Sequence, residues 1–443
     1  MLNRVRMPWG SRRLGATFAR LGPSCVLGLA TVSWLGASVY AQQRQQVAPS
    51  LIRNHPAIAY ATSPQSDPVF KLNERLRNGE VTFESEPVTG YLRSVLKALN
   101  VPVESQVLVF SKTSFQAKRI SPQNPRAIYF GDNVAVGFVR GGDVLEFISQ
   151  DPKLGSVFYQ LHQNQAGIPQ FERTDASCVY CHVSDTTQNV PGPFIGSVFP
   201  GPDGTANYGP VYMTDHNSPF ETRWGGWYVT GKHHADRHMG NAIATDPGDL
   251  ARMITPETVH LTSLAGKFDP TGYPTLTSDI VALMVLEHQA GMMNWITRLG
   301  WNVRLGADAD RPLADTVKAL VDYMLFIDEA PIPGPLEGPT SFAKDFSARG
   351  PFDKKGRSLH QLDTRQRLLK YPCSYMIYSE AFDALPEAAK SAVYARLWEV
   401  LSGKDPDKVY QRLDPADRDA IIEILRDTKK DLPDYFFPEP SGS

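Results

Sequence analysis

Apolar positions change rhythm along this chain of 443 residues. Residues 106–111, 127–130, 134–139, 144–149 and 157–162 are short runs rich in Val, Ile, Phe and Tyr. Asn-Pro, Gly-Asp-Asn, Gly-Gly and Asp-Pro signals separate them, so each run predicts a strand. From about residue 280 the pattern becomes helical. Residues 279–297 predict a long apolar helix with Ser278 as N-cap, and 313–328 a second, stopped by Pro331 and Pro333. Residues 365–371 read as a short helix. The chain closes with helices over 387–401, ending near Gly403, and 415–429, capped by Asp414.

Ahead of the strands, residues up to about 70 are rich in Gln, Pro and Ser, an extended lead-in. Residues 71–100 predict a short helix with loops, ending in a helical run over 91–99. Residues 191–241 hold many Gly, Pro and aromatic residues. One strand candidate, Arg223-Trp224-Gly225-Gly226-Trp227-Tyr228-Val229, interrupts them. The expected class is α+β, with a mixed front lobe of short strands and a helical C-terminal lobe. The divisions are 1–41, a 42–100 lead-in with a short helix, a strand-rich 101–250 and a mainly helical 251–443.

Residues 1–41 have the layout of a secretory signal peptide. Arg4, Arg6, Arg12, Arg13 and Arg20 precede an apolar stretch, Val39-Tyr40-Ala41 suits signal peptidase, and no acidic residue occurs before Asp67. Cleavage after Ala41 leaves 40 basic against 47 acidic residues, a net charge of −7. No clustered basic surface points to nucleic acid. No second apolar span of about 18 residues predicts a membrane helix after signal removal. The expected location is the periplasm.

Export bears on the cysteines. Cys25 leaves with the signal, and Cys178, Cys181 and Cys373 remain. Three thiols cannot all pair in an oxidising compartment. Cys178-Val179-Tyr180-Cys181-His182 is a C-x-x-C-H sequence, whose two thiols on one side of a short helical turn can add across the vinyl groups of one haem. The following histidine supplies the proximal iron ligand. Cys373 is then left over, an expected buried and inert thiol between Tyr371 and Tyr375. A Cys₂His₂ zinc set from Cys178, Cys181, His234 and His238 has a spacing too long for a finger, and a redox dithiol lacks the βαβ context.

On this motif and the export signal the chain resembles the c-type cytochromes. The resemblance implies one covalent haem c held by Cys178 and Cys181, with His182 on the iron, and redox work with partner proteins outside the cytoplasm. It covers only the motif. Small cytochromes c carry a helix just before C-x-x-C-H and a Met beside a Pro, and neither feature is seen. Dihaem peroxidases are similar in size but carry two such motifs.

The distal ligand decides what the iron does. His238 and His216 lead the candidates, with Met213 and Met239 behind, and His233 and His234 complete a histidine-rich stretch. Arg223 is a candidate partner for a haem propionate or a surface arginine, and Trp224, Trp227 and Tyr228 either face a porphyrin or pack in the core. Met284, His288 and Met292 share one helix face, which suits a core stripe, a pocket wall or a second, non-covalent haem. The leading expectation is an electron carrier. The alternative is a haem peroxidase or oxidase with an open distal site.

Overall fold

A computed structural model describes residues 49–164, 167–206, 209–246 and 252–437. The signal segment and Cys25 lie outside them. Chain order begins with helices α1 (Pro49–Asn54), α2 (Pro68–Arg77) and α3 (Leu92–Ala98). Strands β1 (Val107–Val109), β2 (Arg126–Phe130), β3 (Val134–Val139), β4 (Val144–Asp151), β5 (Gly155–His162) and β6 (Phe171–Arg173) follow. Next come α4 (Asp175–His182), β7 (Ile195–Ser197), β8 (Tyr212–Thr214) and β9 (Trp227–Tyr228). Helices α5 (Pro256–Val259), α6 (Ile280–Leu305), α7 (Leu313–Met324), α8 (Phe342–Ser347), α9 (Glu380–Asp383), α10 (Glu387–Leu401) and α11 (Pro415–Thr428) complete the chain. The α+β class and the helical C-terminal region are therefore observed.

Seven strands form one antiparallel sheet in the order β6-β5-β4-β3-β2-β1-β9, and β7 pairs with β8 in a separate ribbon. Both faces of the large sheet are covered. Val107, Val109 and Trp227 point into an apolar cluster shared with α6, α7 and α10, while Leu108, Phe110 and Tyr228 join a second cluster with α2 and α3. Burial on two faces explains why β1 reads as a continuous apolar run without polar alternation. The helices after residue 251 thus share one core with the strands.

Helix α6 is the central element, with 22 of its 26 residues buried. A helix apolar on every side belongs inside a protein, and among the described residues no helix is long and apolar enough to cross a membrane. Its cap is Asp279, whose carboxylate accepts from the amides of Val281 and Ala282. The expected cap, Ser278, instead accepts from the Leu108 amide and so ties the helix start to the sheet. The helix also runs on to Leu305.

Three other expectations are corrected. Residues 365–371 are not helical: Asp363 N–H pairs with Leu368 O, Thr364 N–H pairs with Arg367 O, and Thr364 has φ +53°, which makes a tight hairpin. Helix α7 ends at Met324, before the prolines, where Phe326 takes φ +56°. The strand expected over 223–229 shrinks to Trp227–Tyr228 because the chain turns at Trp224 (φ +70°) and Gly226 (φ +85°). Gly225 is needed there, since a Cβ would sit 2.1 Å from the Val198 carbonyl oxygen.

Candidate functional site

The C-x-x-C-H segment forms the helix α4, which follows β6 and lies against β5. Its start is tied down by a hydrogen bond from Thr174 N–H to Phe158 O, 2.9 Å. Val179 turns inward to the second apolar cluster, whereas Tyr180 is 87% exposed. Cys178 is half-buried and Cys181 exposed, and both are free thiols. At i and i+3 they lie on neighbouring turns of one helix face.

His182 ends the helix. Its Nδ1 lies 2.9 Å from the Gly192 carbonyl oxygen. A carbonyl only accepts, so Nδ1 carries the proton and Nε2 keeps its lone pair. Nε2 makes no hydrogen bond among the described residues. The Phe158 and Phe194 rings flank the imidazole at 5.0 and 4.9 Å. Burial lowers its pKa to about 4, so the ring is neutral at neutral pH. A neutral imidazole with one nitrogen held by a carbonyl is the state in which histidine binds metals.

The residues behind this arrangement gave little sequence signal beyond a glycine between two prolines. Gly192 N–H returns a hydrogen bond to His182 O, 3.0 Å. Asn294 of α6 donates from Nδ2 to Pro193 O, 2.8 Å. A Cβ on Gly192 would fall 1.8 Å from Asn294 Oδ1, so a larger residue must displace the Asn294 side chain.

Beside Phe194 opens a cleft with about 460 Å³ of open space, part of it shared with bulk solvent. Met213, Thr214, Asp215, Glu287, Asn294 and Tyr323 contribute to its walls. Of the distal candidates, Met213 lies here. It sits on β8 opposite Gly196 of β7 and is 45% exposed.

Of the other candidates, His216, His233, His238 and Met239 are enclosed and engaged elsewhere. His238 Nε2 donates to Val259 O at 3.0 Å, the carbonyl that His233 Nε2 also reaches. His238 Nδ1 is buried without a partner, and burial lowers its pKa to about 3. Met239 is buried, its sulfur accepting from the Ser197 hydroxyl. His234 is exposed.

His216 and His288 form a buried pair with their Nδ1 atoms 2.9 Å apart. His288 Nε2 lies 2.7 Å from Ser374 Oγ, so both its nitrogens are engaged. Met284 and Met292 are core residues beside it.

Arg223 is fully buried and paired with Glu287 at 3.0 Å, and it also donates to the Ser218 and His216 carbonyls. Trp224 Nε1 donates to the second Glu287 oxygen, 2.7 Å. Burial raises Glu287 to about 7 against the lowering effect of Arg223. Trp224, Trp227 and Tyr228 are core residues. Cys373 is buried, as expected, and burial pushes its thiol up to about 12.

Among the described residues no group of three or more His, Cys, Asp or Glu could hold a metal ion. The zinc set of Cys178, Cys181, His234 and His238 is therefore not assembled. Comparison with protein-family models, curated proteins and solved structures gives no match to this chain.

Proposed function

We propose that the chain is an exported, periplasmic monohaem c-type cytochrome that passes single electrons between redox partner proteins. One observation carries the reading: His182, at the end of the C-x-x-C-H helix, commits Nδ1 to Gly192 O and leaves Nε2 unbound. The residues fit a covalent haem c. Cys178 and Cys181 would hold it as thioethers, each S–H adding across one vinyl C=C with no oxidant required. His182 would bind the iron from one side. When bound, the haem supplies one-electron exchange at its iron.

What the protein contributes follows from its own residues. Burial keeps His182 neutral, so a proton does not compete for Nε2. The Gly192 carbonyl fixes the tautomer and the ring orientation, and hydrogen bonding there raises the basicity of the free nitrogen. Phe158 and Phe194, whose rings pack against the imidazole, restrict its rotation. Met213 is the distal candidate that lines the cleft beside Phe194, His234 is exposed outside it, and His216, His238 and Met239 are buried in other contacts.

The cleft beside Phe194 favours a second reading, a haem peroxidase or oxidase with an open distal position and a small-molecule pocket. One experiment separates the two. The protein is produced in a host with c-type haem maturation, and its spectra are taken oxidised, reduced and with carbon monoxide. Six-coordinate low-spin iron indifferent to carbon monoxide supports the carrier; high-spin iron that binds it supports the enzyme. Haem that survives a denaturing gel in the wild type and is lost in Cys178→Ala/Cys181→Ala supports both. Wild-type protein without covalent haem overturns both.

A further inference from the structure

The walls of the cleft have a chemical bias that attachment of a haem does not explain. Two carboxyl groups, Asp215 and Glu287, line it together with the aromatic rings of Phe194 and Trp295, and no Lys, Arg or His is among its lining residues. Arg223 neutralises Glu287 from behind. Asp215 forms no ion pair among the described residues and feels the charge of Arg223 only through space. Its Oδ1 accepts from Asn217 N–H and Ser218 Oγ, and its Oδ2 makes no hydrogen bond among the described residues.

Two hydroxyls complete the pattern. Thr214 is 6% exposed and Tyr323 7%, and both line the cleft. Thr214 Oγ1 and Tyr323 Oη are buried with no hydrogen-bond partner. Buried hydroxyls are nearly always partnered, because stripping water from one without replacement is costly. Each hydroxyl can accept or donate, and the acceptor-only carboxylate of Asp215 beside them favours a ligand that donates hydrogen bonds.

We propose that this cleft binds a small primary amine in its ammonium form. An –NH₃⁺ group has three donors and no acceptor, which matches one carboxylate oxygen and two hydroxyl oxygens. Phe194 adds an aromatic ring to the cleft wall, and aromatic rings attract cations; the Trp295 ring already carries the Arg311 guanidinium, 5.4 Å from its centroid. Carboxylate ligands are disfavoured by the acceptor-only carboxylate of Asp215, and haem propionates are disfavoured on the same ground. Burial raises both acids, and a bound cation favours their ionised forms. The inference goes beyond the haem assignment and does not rest on it, since none of these groups belongs to α4.

The test is calorimetric titration of the mature protein with propylammonium chloride, with 1-propanol and sodium propionate as size-matched probes. Saturable binding of propylammonium is expected, about tenfold or more tighter than 1-propanol, with no measurable binding of propionate. Tyr323→Phe removes an unpartnered hydroxyl, so its melting temperature should hold or rise while affinity falls about tenfold. Asp215→Asn should weaken binding at least as much. Absence of saturable propylammonium binding, equal binding of 1-propanol or propionate, or unchanged affinity in a folded Tyr323→Phe protein overturns the proposal.

Discussion

His182 and Gly192 hold each other by two hydrogen bonds, ring Nδ1 to the Gly192 carbonyl at 2.9 Å and Gly192 N–H to the His182 carbonyl at 3.0 Å. The loop between them is thereby closed on the end of α4. Rotation of the imidazole is coupled to the backbone that α6 grips through Asn294.

Gly192→Ala is accordingly predicted to be costly. Its Cβ would meet Asn294 Oδ1 at 1.8 Å, so the Asn294 side chain must swing away and give up its bond to Pro193 O, or the loop must shift. A loss of about 2–3 kcal/mol in urea unfolding is expected, with a changed reduction potential in haem-loaded protein. Wild-type stability and potential in this variant would show that the ring is not held through Gly192.

Thiol counting gives a second test. Cys373 is buried with its thiol pushed up to about 12, whereas Cys181 is exposed. With haem attached, a thiol reagent should find no fast-reacting group in the native protein and one after denaturation. Mature protein produced without haem maturation should show Cys181 reacting first, then Cys178, and Cys373 only on unfolding. Fast native labelling of Cys373 would contradict its burial.

Stability should fall on acidification in haem-free protein. His182 and His360 are lowered to about 4, and His238 and His288 to about 3, mainly by burial. Between pH 6.5 and these values the unfolded chain binds protons that the folded chain refuses, so stability rises with pH in that window. Glu287 and Glu329, raised to about 7, act oppositely between pH 4.5 and 7. Burial also lowers His216 and His233 and raises Asp67, Asp215 and Asp279, so six histidines act in the first sense and five carboxyls in the second. Unfolding in urea should require less denaturant at pH 5 than at pH 7, and an equal or higher midpoint at pH 5 would defeat this account.

Glu287→Gln would leave Arg223 buried without its counter-charge. A cost of about 3–5 kcal/mol is expected. Replacing the pair together, as Arg223→Met/Glu287→Leu, should cost less than the sum of the two single changes. Additive effects in the melting series would mean that the two side chains do not stabilise one another.

Much of this protein was legible along the chain. Strand β3 and helix α10 match their expected bounds, and the turn signals between β1 and β5 mark the real reversals, because period, apolar content and turn chemistry are local properties. The candidate haem residues were equally readable, since their chemistry lies within five consecutive positions. Less visible were α6 beyond Thr297, where a largely buried helix carries only scattered polar residues to mark its length, and the 365–371 hairpin, whose backbone bonds override a mild helical pattern.

The sequence by itself determined the α+β class, the C-x-x-C-H segment and the apolar setting of Cys373. The tertiary structure decided which groups stand near one another. Met213 lines the cleft because β8 pairs with β7, and His216 is closed off because it meets His288 from 72 residues away. The Gly192 hold on His182, the Asn294 contact and the unpartnered Thr214 and Tyr323 hydroxyls likewise arise where α6, α7 and the β7–β8 ribbon converge. Contacts between distant segments depend on packing, and neither spacing nor composition encodes which faces will meet.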